Sequence, residues 1–140
     1  MALAAIGALC AAHGCSTAPN PELAGPAYPS ALRQGRTLDV QVFRDGPEIR
    51  FTNTTPEPLG PGRLWLNAWY SREIPAIGVG ESVTYQLKEF RDQYGAQFRG
   101  GGFFAAQNPE ALVLAQVEPA ETESGDVELL GLIVVGGEAE

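Results

Sequence analysis

The chain reads as an all-β protein: one β-sandwich of about seven to eight short strands with a single short helix, and a small closed barrel as the alternative. Two observations carry this. Apolar residues alternate with polar ones over short runs from Leu38 onward, which is the period of a half-buried strand. The runs are separated by closely spaced Gly, Pro, Asn and Asp turn signals, and no repeat or long helical period intervenes. The sandwich domain is expected over 36–136, after a signal segment at 1–14 and a tether at 15–35, with 137–140 as an acidic tail.

Leu38, Val40 and Val42 alternate with Asp39 and Gln41, and Asp45-Gly46-Pro47 breaks the run. The pattern resumes with Ile49 and Phe51 on one face and Arg50 and Thr52 on the other, so a hairpin turning at Asp-Gly is expected. The Pro- and Gly-rich stretch 54–62 suits no strand interior and is an exposed connection. Leu64-Trp-Leu-Asn-Ala-Trp-Tyr70 follows, apolar on both faces as a central strand would be. A strict period of two puts Leu64, Leu66, Ala68 and Tyr70 on one face and Trp65, Asn67 and Trp69 on the other.

Gly78-Val-Gly-Glu-Ser82 reads as a turn into a strand with Val83, Tyr85 and Leu87 facing inward. This Gly-Glu-Ser turn, downstream of Phe51-Thr-Asn-Thr-Thr55 and a Trp-bearing strand, resembles the immunoglobulin-like sandwich modules of exported bacterial proteins. The resemblance implies an immunoglobulin-like sandwich, although the paired cysteines of antibody domains are missing.

Phe90 and Tyr94, four residues apart, predict one or two helical turns over 88–94, ended by Gly95 and plugging one end of the sandwich. The Gly100-Gly101-Gly102 run is a permissive bend, lacking the phosphate-loop pattern and a following long helix. Phe103 to Gln107 is expected to be a strand, and Asn108-Pro109-Glu110 a turn. Leu112 to Val117 and Leu129 to Val135 are expected to close the sheet as a hairpin. Left unpaired at an edge, the latter run would be an aggregation hazard.

The N-terminus gives an address. Met1 to Cys15 is an apolar run too short to span a bilayer as a helix, but of the length of a signal-peptide core. Its end, Gly14-Cys15, resembles bacterial lipoprotein signals, in which a small residue precedes a cysteine that is acylated and becomes the first residue of the mature chain. Ala12 and His13 depart from the residues usual there, and no Lys or Arg precedes Arg33. The resemblance implies a lipid anchor on Cys15 in a bacterial cell envelope, with secretion as a soluble protein as the alternative. The Pro- and Ala-rich residues that follow have the composition of an extended tether.

The remaining composition narrows the chemistry. The net charge is −8, and from Glu118 onward the acids stand without a base. An acidic surface repels phosphate backbones, so nucleic acid is not an expected partner. Both cysteines, Cys10 and Cys15, and the one histidine, His13, lie in the signal region. The domain thus lacks the thiol and imidazole that nucleophilic catalysis and zinc, copper or haem sites commonly use, so neither metal nor cofactor is expected. Glu121, Glu123, Asp126 and Glu128 do not have the spacing of a calcium loop. Carboxylate hydrolysis would need two of Glu48, Glu57, Glu73, Glu81 and Glu89 facing each other across a cleft.

These residues describe a non-enzymatic binding or accessory module, anchored to membrane lipid through Cys15 and contacting an envelope protein or glycan through the loops at 54–63 and 91–102. The alternative is a carbohydrate-binding domain using Trp65, Asn67 and Trp69. If their common face is exposed, the two rings form a stacking platform and Asn67 bonds sugar hydroxyls. If it is buried, they are core, the favoured reading because exposed paired tryptophans are costly without a ligand.

Overall fold

The computed structural model describes residues 18–120 and 124–139. It contains seven strands: β1 (Arg33–Asp45), β2 (Glu48–Thr52), β3 (Gly62–Leu66), β4 (Tyr70–Ile74), β5 (Ser82–Gln86), β6 (Ala115–Pro119) and β7 (Glu128–Val135). The fold is all-β, as the alternation implied. All seven strands share one hydrogen-bonded sheet in the order β4-β3-β6-β7-β1-β2-β5.

The sheet curls because β1 serves both of its halves. At 13 residues it is long enough to pair antiparallel with β2 through 42–45 while running parallel to β7 from Arg33 to Phe43. Register shifts between Gln34 and Gln41 bend it on the way. Ile49, Phe51 and Tyr85 from one half and Leu64, Leu66, Val117 and Leu132 from the other therefore meet in one core.

The hairpin at Asp45-Gly46 forms as expected, with Asp45 opposite Glu48 and Gly46 at φ 56°. Leu38, Val40, Val42, Ile49 and Phe51 are all buried. β6 and β7 pair antiparallel. Because β7 lies between β6 and β1, its apolar run is not an edge.

Three expected elements come out differently. The run 64–70 is not one strand: β3 ends at Leu66, and Asn67 and Ala68 both take positive φ, 54° and 52°, to turn the chain into β4. The helix over 88–94 is only a 3-10 turn, Leu87–Glu89. Beyond it Arg91 exchanges backbone hydrogen bonds with Ser71 on the outer edge of β4, and the Asp92 side chain accepts from the Tyr94 and Ala96 amides. Both compete with helical pairing. Residues 103–107 form no strand, since Ala105 N–H closes a turn onto the Gly102 carbonyl at 3.1 Å.

The tether expected at 15–35 is spent on the domain from Asn20 onward. Asn20 N–H donates to the Gly95 carbonyl at 3.2 Å and Gly25 N–H to that of Asp92 at 2.9 Å. The Tyr28 ring stands edge-on to Trp65, 5.3 Å between centroids, and its hydroxyl donates to Gln116 Oε1 at 2.7 Å. Tyr28 thereby contributes apolar contact and a hydrogen bond against the cost of ordering this Pro-rich stretch. The chain then enters β1 at Arg33.

Candidate functional site

The pairing fixes which loops gather together. β1, β3, β5 and β7 run in one direction and β2, β4 and β6 in the other. One end of the sheet therefore carries the β1–β2 turn, the β3–β4 turn, the long connection 87–114 and the end of β7. Most of the large apolar side chains left in water are here, among them Trp69, Tyr94, Phe103 and Phe104.

Trp65, Asn67 and Trp69 do not form a platform. Trp65 is 1% exposed: it points to the outer face of β3, where Tyr28 covers it, and its Nε1 donates to Glu118 Oε2 at 2.7 Å. Asn67 sits in the turn with its amide engaged at both ends, donating to the Ala111 carbonyl at 2.8 Å and accepting from Val113 N–H at 2.8 Å and Leu114 N–H at 3.3 Å. Trp69 alone of the three is exposed. The turn at 67–68 breaks the period of two that would have put the two indoles on one face.

Trp69 has a different partner. Its Nε1 donates to Asp92 Oδ2 at 3.1 Å, and its ring lies 6.3 Å from that of Tyr94, tilted by 45°. Asp92 is buried and also holds the Tyr94 and Ala96 amides through Oδ1, at 2.9 and 2.8 Å. One carboxylate thus fixes both exposed rings. The Asp92-Gln-Tyr-Gly95 spacing carries the signal, because Asp two residues before a turn residue and a Gly at φ 85° make an Asx-type loop. Read as the last turn of a helix ended by Gly95, it conceals Tyr94.

Beyond this pair, Gly100 to Pro109 contains no charged residue and projects Phe103 and Phe104, 95% and 93% exposed. The base of the loop is fastened: Glu110 N–H donates to the Arg99 carbonyl at 2.9 Å, and Arg44 donates through Nη2 to the Gly100 carbonyl at 3.1 Å.

Four of the five carboxylates considered for hydrolysis are held by structural partners, and Glu57 stands apart from them beside Thr54 and Leu59. Glu73 pairs with Arg63 at 3.2 Å and Glu89 with Arg72 at 2.6 Å. Glu81 accepts from Gly78 N–H, and Glu48 from the Gln86 amide. A groove of about 410 Å³ brings Glu73 and Glu118 to its rim, with Arg63 between them in the cross-strand register. Among the described residues, no three His, Cys, Asp or Glu side chains gather as a metal site, and no helix is long and apolar enough to cross a membrane. Cys15 lies outside the described residues. The chain matches no protein-family model, no curated protein and no solved structure.

Proposed function

We propose that this protein is a lipid-anchored, non-enzymatic module of a bacterial cell envelope, held by an acylated Cys15 and acting as a binding or accessory unit. The observation that supports the anchor is the apolar run closing on Gly14-Cys15 immediately ahead of the domain. The strand order supports an immunoglobulin-like sandwich. Lettered A to G along the chain, β1, β2 and β5 (A, B, E) are neighbours on one side and β3, β6 and β7 (C, F, G) on the other, while β4 (D) pairs with β3 and not with β5. The glycan alternative has Trp65 buried and Asn67 half-buried with its amide tied to 111–114, leaving only Trp69 exposed, which favours the accessory reading.

Intact mass of the membrane-fraction protein tests the anchor. A chain lacking 1–14 and carrying acyl groups on Cys15 is the expected result, and Cys15→Ser should move the protein out of the membrane fraction. An unmodified Cys15 in the wild-type protein would overturn the reading.

A further inference from the structure

We infer that the end of the domain bearing Phe103 and Phe104 rests on the membrane that holds the anchor, with these two rings in its interfacial layer. The inference rests on the lipid-anchor reading and adds an orientation to it.

Phe103 and Phe104 form an edge-to-face pair, 4.9 Å between centroids at 88°, that touches the rest of the protein so little that both rings are almost wholly in water. Burial of such a ring is among the larger gains a single side chain offers, so leaving two outside calls for something that covers them. The loop is built to present them. Its base is pinned at Arg99, Gly100 and Glu110, and its tip carries no charge that would have to leave water on entering a headgroup layer. Trp69 and Tyr94, at the same end, are residue types that favour the membrane–water boundary.

What says that the cover is lipid is where the anchored segment emerges. Asn20 is hydrogen-bonded to Gly95, in the same connection that carries the phenylalanines. From Asn20 back to Cys15 is five residues, a reach of at most ~18 Å in fully extended chain. The opposite end of the sheet is a full strand away, about 23 Å along β7 from Glu128 to Val135 at ~3.3 Å per residue. An acyl group on Cys15 therefore brings the aromatic end to the bilayer and holds the far end, with the 53–61 loop and Val79, away from it. Residues 20–32 cannot act as a spacer, because they run down the domain surface from Gly95 to β1.

The test uses the full-length chain in the membranes of the cells that make it, with a photoreactive benzophenone amino acid replacing Phe103, Phe104 or, as the far-end comparison, Val79. Irradiation should give phospholipid adducts at 103 and 104, identified by mass, and none above background at 79. Equal lipid labelling at 79 would overturn the orientation. Adducts to a protein at 103 and 104, or no adduct there while Cys15 is acylated, would overturn membrane docking and leave the anchor standing. An unmodified Cys15 in the same samples would instead remove the anchor, and this proposal with it.

Discussion

Asn67 donates through Nδ2 to the Ala111 carbonyl at 2.8 Å and thereby ties the β3–β4 turn to the segment that leads into β6. Its Oδ1 takes the Val113 and Leu114 amides and its own backbone N–H reaches the Leu114 carbonyl at 2.9 Å. One side chain therefore satisfies three backbone groups that no strand pairs. Asn67→Ala removes all three bonds at ~0.5–1.5 kcal/mol each and leaves a Cβ residue at φ 54° without the local bonding that makes Asn tolerable there. The expected loss is about 3 kcal/mol in urea denaturation, and Asn67→Asp, which keeps the acceptor, should lose less.

Ala68 follows at φ 52°, where an alanine pays ~1–2 kcal/mol that glycine does not. Two consecutive positive-φ residues are what an Asn-Gly hairpin turn provides. Ala68→Gly should therefore stabilise the protein by about 0.5–1 kcal/mol after the larger chain entropy of glycine is subtracted. A fall in stability in the same assay would mean that the left-handed conformation at 68 carries no strain.

This turn also explains which parts of the molecule were legible beforehand. The β1–β2 hairpin could be read because alternation and an Asp-Gly turn agree, and β7 because its uninterrupted apolar run has the length of a strand. The break at Asn67-Ala68 was hidden by the absence of a glycine, so a period of two carried through it and joined Trp65 to Trp69. Trp65 was correctly suited to burial, but what buries it is Tyr28, from a segment whose proline content reads as a tether. Phe103 and Phe104 look like strand residues by composition. Whether such residues are covered depends on a strand edge being available, which is a property of the whole sheet and not of the local sequence.

Tyr85 is a place where the core carries a polar atom at a cost. Its hydroxyl is buried and finds no hydrogen-bond partner among the described residues, while the Arg72 guanidinium lies over its ring at 4.1 Å. Tyr85→Phe keeps the ring, the contact with Phe51 and the stacked arginine, and removes only the unpaired group. Stability should rise by about 1 kcal/mol, measured by chemical denaturation at neutral pH. A decrease would show that the hydroxyl is satisfied in solution.

Alkaline pH should find the other weakness of this core. The Tyr70 phenol is pushed up from its ordinary value to about 12, first by burial and then by its hydrogen bond to Glu110, and burial raises that of Tyr85 in the same direction. In the unfolded chain both ionise near ~10. The fold favours the neutral phenol, so its contribution is fully present below about pH 10. Above that, the unfolded chain gives up its protons first, and stability falls as the pH rises through the interval up to about 12. Denaturation free energies taken at intervals between about pH 9 and 12 should decline, and the decline should be shallower in Tyr70→Phe, which has no proton to lose there. An unchanged slope in that variant would mean that Tyr70 titrates alike in the folded and unfolded chain.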